Sequence, residues 1–225
     1  YKATGQKHFI LAFVNLNSWD VQSQDPSWAG SLDLDYIITP GKKNFRQEQV
    51  EELRAVGGDI SISFGGAFGQ HEPAIDIMDI DELVACYQRV VTAYNLQYVD
   101  WDIEGGEVLN DAANIRRAKA IKILVANNPN LKVSMTLPVN SEGLTGNGGL
   151  LLLKRLYDEG TPLYILNGMS MEFGWYHKGG DMSATIIASA KALEKQANDM
   201  GWSEELLFGT TPMIGQSYAR EEVVY

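Results

Sequence analysis

YVDWDIE, residues 98–104, carries acids at alternate positions, Asp100, Asp102 and Glu104, with Val99, Trp101 and Ile103 between and before them. In an extended strand successive side chains point to opposite faces. The three carboxyls therefore share one face and the apolar residues the other. Acids on a buried face are costly, because each ionised carboxylate loses hydration and repels its neighbours. Stability does not ask for such a face, so its purpose is chemical. Glu104 comes last, at the carboxyl end, where barrels of parallel strands open their active sites. Gly105 and Gly106 follow it and leave room for a ligand. Asp102 stands about 6–7 Å behind along the strand and Asp100 deeper, near enough for two carboxyls to share a proton and raise a pKa. The pattern suits a general acid backed by two tuning carboxylates. Two other readings of the triplet are an oxygen-ligand site for Mg²⁺ or Mn²⁺ and a solvated strand edge. Leu96, Val99 and Ile103 weigh against the edge.

Outward from this stretch, short β-branched runs alternate with longer amphipathic ones. Strands are predicted at 8–16, 59–65, 98–104, 131–139, 163–172 and 206–214. Helical periods fall near 46–56, 80–94, 110–127, 148–158 and 183–200. The clearest is the stripe Ile80, Leu83, Val84, Tyr87, Val90, Val91 and Tyr94, begun by Asp79 as a cap. Asn110 and Ser183 read as further caps, and Gly57 and Gly201 as stops. Such alternation means a parallel sheet, either a doubly wound open sheet or a (β/α)₈ barrel. Six strands are two short of a barrel. The expectation is a single α/β domain over 1–225, a TIM barrel whose first and last strands lie outside these residues. LAFVN (11–15) and LLFGTTPMI (206–214) would then be open, apolar edges.

The bulk numbers exclude several classes. Hydrophobic residues make up 45% and charged residues 21% of the chain, an ordinary globular composition. A net charge of -11 argues against a nucleic-acid partner. No apolar run approaches the ~20 residues of a membrane-spanning helix, so no membrane partner is expected. The lone Cys86 forms no internal disulfide and reads as apolar filler. No cofactor is implied, and His8, His71 and His177 show no metal-ligand spacing.

DWDIE resembles the last part of the glycoside hydrolase family 18 signature, Asp-x-x-Asp-x-Asp-x-Glu, carried on the fourth barrel strand. SISFGGAFG before it resembles the Ser-x-Gly-Gly motif of the third, here Ser63, Gly65 and Gly66. LAFVN is similar to the second strand, and LKVSMTLPV with Gly143-Leu144 to the fifth. LNGMSMEFG (166–174) looks like the sixth, and GTTPMIG (209–215) like the seventh strand of bacterial chitinases. These matches occur in order and span nearly the whole chain. The chain departs from the pattern at Gln97, at Met171-Glu172 where Tyr-Asp is usual, and at Ser217-Tyr218 where Asn-Asp is usual. The eighth strand, with its tryptophan floor, is not matched.

The resemblance implies a secreted chitinase-type enzyme acting on chitin or another N-acetylglucosamine-containing glycan. It implies Glu104 as the acid, with Asp102 and Asp100 behind it. Ser63, Gly65, Gly66, Met171, Glu172, Met213 and Gln216 would meet substrate. In this family the substrate's own acetamide is the nucleophile, an exception to the usual pair of enzyme carboxylates. A carbohydrate-binding relative without turnover, and an endo-β-N-acetylglucosaminidase acting on N-glycan cores, are the alternatives.

Overall fold

In the computed structural model, residues 1–20, 23–36, 41–67, 71–174, 181–217 and 223–224 are described. His177 and Tyr218 lie outside them. All six expected strands form: His8–Leu16 (β1), Asp59–Gly65 (β4), Tyr98–Asp102 (β5), Lys132–Pro138 (β6), Ile165–Met169 (β7) and Leu207–Thr210 (β8). They pair in parallel in the order β1-β4-β5-β6-β7-β8. Five expected helices stand between them: Gln47–Ala55 (α1), Ile80–Tyr94 (α3), Asp111–Asn127 (α4), Gly149–Glu159 (α5) and Met182–Met200 (α6). A single turn of helix, Pro73–Asp76 (α2), precedes α3. This is a partial (β/α)₈ barrel, open among the described residues, since β8 pairs with β7 alone.

Local chemistry explains the helix ends. The Asp79 side chain accepts from the backbone N–H groups of Asp81 and Glu82, capping α3, a contact worth about 1 kcal/mol. Asn110 caps α4 through the N–H of Ala113. For α6 the cap is Asp181, not Ser183: the Asp181 carboxylate accepts from the Ser183 N–H. The carboxylate reaches the free N–H groups two residues on, which puts the aspartate one step ahead of the helix.

The N-terminal edge also differs from expectation. Val14, Asn15 and Leu16 of β1 pair antiparallel with Trp28, Ser27 and Pro26 of a three-residue strand, Pro26–Trp28 (β2). A shorter one, Leu32–Asp33 (β3), pairs in turn with β2. The upper half of LAFVN is thus covered rather than open. Trp28 anchors the hairpin by donating from Nε1 to the Tyr94 hydroxyl at 2.8 Å, its ring packed against Phe45. Three residues that include a proline give no strand signal, so the hairpin is invisible to periodicity. At the other edge Leu207 is 47% exposed. A last pair, Gly215–Gln216 (β9) and Val223–Val224 (β10), forms a separate two-stranded ribbon.

The core lies between the sheet's outer face and the helices. Trp101 stacks on Phe64 at 5.4 Å and meets Tyr87 of α3 edge-on at 5.1 Å, and all three are fully buried. Cys86 is buried beside them, and burial pushes its thiol up to about 12. At the top of β4 the backbone comes so close to β5 that a Cβ on Gly65 would meet the Asp102 carbonyl oxygen at 2.0 Å. Its φ of 96° is also one that side-chain-bearing residues avoid. Gly65→Ala is therefore expected to lower the unfolding free energy, read from denaturant melts, by more than about 1 kcal/mol from the dihedral alone, and further through the clash. Gly106→Ala, with no atom within 4 Å of its Cβ, should leave the unfolding free energy within ~0.5 kcal/mol of wild type. Equal midpoints for the two variants would contradict the close approach.

Candidate active site

Register brings the inward-facing residues into layers. Ser63, Asp100 and Ser134 stand abreast on β4, β5 and β6, and one layer up come Gly65, Asp102, Thr136 and Asn167. Asp100, only 2% exposed, is the lower anchor. Its Oδ2 accepts from the Ser63 hydroxyl at 2.7 Å, and its Oδ1 accepts from Ser134 at 2.5 Å and Thr136 at 3.0 Å. Burial raises the Asp100 pKa, and these three hydroxyl donors pull against that rise.

Asp102 ends β5, and Glu104 follows in extended conformation, so its side chain returns to the same face. Asp102 is pushed up to about 8, first by burial, then by the charges of Glu104 and Asp100 and by its hydrogen bond with Glu104. Glu104 is raised as well, again chiefly by burial, with the Asp102 bond opposing the rise. The two carboxyls are thus built to hold a proton between them at neutral pH. Asp102 Oδ1 is buried and has no hydrogen-bond partner among the described residues. Glu104 lines a cleft of about 400 Å³ with Gly66, Ala67, Ile75, Gly105 and Gly106. A second cavity of about 360 Å³, lined by His8, Ile60, Ser61, Tyr98, Val133 and Tyr164, opens where the strands begin, away from the triplet.

The other predicted residues divide. Ser63 is buried and its hydroxyl is committed to Asp100, so it holds the triplet from beneath. Gly65 is held by Asn15, which accepts the Gly65 N–H at 3.0 Å and donates to its carbonyl at 2.9 Å. The Gly66 N–H donates to the Asp102 carbonyl at 2.8 Å, and a Cβ there would strike the Phe13 ring at 2.6 Å. Gly66 alone of the three lines the cleft. Met171 and Glu172 lie beyond the end of β7, Met213 beyond β8, and Gln216 on β9. All four follow the carboxyl ends of strands two or three places along from β5, and none lines the Glu104 cleft.

Sequence reasoning missed several participants. Ser134, Thr136 and Asn167 occupy inward positions; the Asn167 amide donates to the hydroxyls of Thr136 and Thr211. Their signal was polar residues alternating with apolar ones inside strands buried on both faces. Glu107, in the 3₁₀ turn Gly105–Leu109, has both carboxylate oxygens buried without a hydrogen-bond partner among the described residues. Burial first, then the charge of Glu72, pushes it up to about 7, with Arg117 opposing. Among the described residues no group of three or more His, Cys, Asp or Glu is arranged to hold a metal ion. No helix among them is long and apolar enough to cross a membrane.

The fold is a partial (β/α)₈ barrel with an acid-lined strand, and the known proteins it compares with are chitinases. No protein-family model matches the sequence. The chain is 29% identical, over 97% of its length, to a probable bifunctional chitinase/lysozyme of Escherichia coli and to endochitinase 11 of Metarhizium anisopliae. It spans 25% of the first and 42% of the second. It superposes with a TM-score of 0.81, at 29% identity, on active domain 2 of a thermostable chitinase from Pyrococcus furiosus, solved as catalytic-site mutants complexed with chito-oligosaccharides. That match covers 100% of this chain and 68% of the other. The chain is thus a homologue of chitinases, and the family 18 resemblance read from its motifs is borne out.

The raised Asp102 pKa has a consequence for stability. Unfolded, Asp102 loses its proton near pH ~4; folded, it keeps it to about pH 8. Between those values the unfolded chain binds fewer protons than the native one, so stability falls as pH rises through this window. Asp102→Asn removes that loss. Its Tm is expected to gain on wild type steadily from pH ~4.5 to ~8, with little gain at the acid end. A difference that stays constant with pH would contradict the shift.

Proposed function

We propose that this chain is the catalytic part of a retaining, endo-acting glycoside hydrolase that cleaves β-1,4-linked N-acetylglucosamine polymers, chitin and its oligosaccharides, by substrate-assisted catalysis. The observation that carries the reading is the Asp102–Glu104 pair. It is a proton-holding couple at the mouth of the sheet, with Asp102 Oδ1 buried and given no donor by the described residues. The chitinase relatives and the chito-oligosaccharide complex of the Pyrococcus domain support the substrate class.

In this reading Glu104 gives its proton to the glycosidic oxygen as the bond to the anomeric carbon breaks. The acetamide carbonyl oxygen of the same sugar attacks that carbon from the opposite face and forms a cyclic oxazolinium. Asp102 Oδ1 accepts the acetamide N–H, which orients the nucleophile and offsets the positive charge that develops on it. Glu104, now a carboxylate, takes a proton from water as the water opens the ring, and configuration is retained. Asp100, held by three hydroxyls, helps raise the Asp102 pKa from below. A polymeric, insoluble substrate puts this work outside the cell.

Glu104→Gln keeps the shape of the side chain and removes the proton. Turnover of chito-oligosaccharides is expected to fall at least ~10²-fold while binding survives. A near-wild-type rate would remove Glu104 from the role. A thiazoline mimic of the cyclic intermediate should inhibit, and EDTA should leave the rate unchanged. Loss of activity on chelation, restored by Mg²⁺ or Mn²⁺, would favour the metal reading of Asp100, Asp102 and Glu104 instead.

A further inference from the structure

Behind the acid strand, on the helix side, lies a buried ionic group that the reaction above does not use. Glu72 is 0% exposed and Arg117 1%. Glu72 Oε2 accepts from Arg117 Nη2 at 2.6 Å and from the Ala74 N–H at 3.0 Å, and Oε1 accepts from the Tyr87 hydroxyl at 2.6 Å. Arg117 Nη1 donates to Asn114 Oδ1 at 2.5 Å, and Asn114 Nδ2 donates to the Val108 carbonyl at 2.9 Å. Val108 belongs to the 3₁₀ turn that starts at the residue after Glu104. At the other end of the chain of contacts the Tyr87 ring meets Trp101, which stands between Asp100 and Asp102. One connected set of buried contacts grips the strand before Glu104 and the turn after it.

Glu104 has its hydrogen bond with Asp102 and the Glu107 N–H on its carbonyl, and the grip adds to these. Glu104 makes no side-chain cap to the turn, and it is followed by Gly105 and Gly106, around which there is open space. The glycines that admit a ligand also leave the acid on a loosely restrained backbone. Buried ion pairs are weak stabilisers, and apolar groups of similar volume often serve stability as well or better. What this one supplies is direction, through fixed hydrogen bonds that fasten Val108 to α4 and, through Tyr87, reach β5. We propose that Glu72, Arg117 and Asn114 are positioning residues that set the place of Glu104 through the 3₁₀ turn, a proposal that rests on reading Glu104 as the proton donor.

The test uses the full chain and two variants. The first combines Glu72→Leu, Tyr87→Phe and Arg117→Met, which removes both members of the buried ion pair and the hydroxyl bonded to it. The second, Asn114→Leu, cuts the link between Arg117 and Val108 at both of its hydrogen bonds and leaves the Glu72–Arg117 pair in place. The triple variant is expected to melt within a few degrees of wild type. Its kcat on chito-oligosaccharides should fall about 10- to 100-fold with KM within about two-fold. Amide hydrogen exchange should quicken over residues 104–110 and stay unchanged over β6. Asn114→Leu should show the same pattern, smaller in size. Unchanged kcat and unchanged exchange over 104–110 would overturn the proposal. So would a loss of activity that merely tracks a lower Tm with exchange faster throughout, which is what a purely structural role gives. Should the triple variant fail to fold, Asn114→Leu decides by the same readouts. If the wild-type protein cleaves no chito-oligosaccharide, the reading of Glu104 is what fails. Exchange over 104–110 then decides by itself whether the network holds the turn.

Discussion

Asp100 sits where the constraints of the fold meet. A carboxyl that is 2% exposed must be given donors, and its donors come from both neighbouring strands, Ser63 from β4 and Ser134 and Thr136 from β6. Three strands are thereby cross-linked through one side chain at the level where the sheet's interior turns from packed to reactive. Register then follows. A one-residue slip of β5 would turn Asp100 into the aromatic core and Trp101 into the cleft. Leaving the carboxyl buried without its donors would cost several kcal/mol. The same register delivers Asp102 to the strand end and Glu104 to the mouth, so the lower anchor determines where the upper pair stands.

Electrostatics climbs the strand in the same order. Each carboxyl above Asp100 is less buried than the one beneath it, and each is raised mainly by the water it has lost. An acid that carries a proton at neutral pH needs an environment that penalises its charged form, and burial supplies it along this strand. A buried positive charge stands behind the strand. Arg117 is paired with Glu72, and its field opposes the rise of Glu107 while leaving the Glu104 side uncompensated. Removing one partner of such a buried pair costs about 3–5 kcal/mol, so its presence is tightly specified.

Most of this was legible in the residues because two periods are strong in this sequence. The period of two in YVDWDIE and the 3.6-residue stripe from Ile80 to Tyr94 each predict an element and its buried face, and both stand in the structure. The triplet's order along the strand likewise predicted a deep anchor and an outer pair. What the sequence hid lies in short or non-periodic pieces. The β2–β3 hairpin is too brief to carry a pattern, and Trp28, which holds it, is explained only by Tyr94 across the fold. Ser63 looked like a substrate contact because motif resemblance says which residues matter but not which atoms they face; its hydroxyl is directed to Asp100. Glu72 and Arg117 are 45 residues apart and adjacent in space, so no local spacing could pair them.

The central claim is that the outer pair serves a nucleophile carried by the substrate, with Asp102 Oδ1 receiving the acetamide N–H and Glu104 the only group that moves a proton to and from oxygen. Stereochemistry reads this most directly. Proton NMR of the first products released from a chito-oligosaccharide, recorded before mutarotation, reports the anomer at the new reducing end. The account predicts the β-anomer, retained through two displacements at one carbon. Initial release of the α-anomer would mean direct attack by water on the sugar, and would contradict the account.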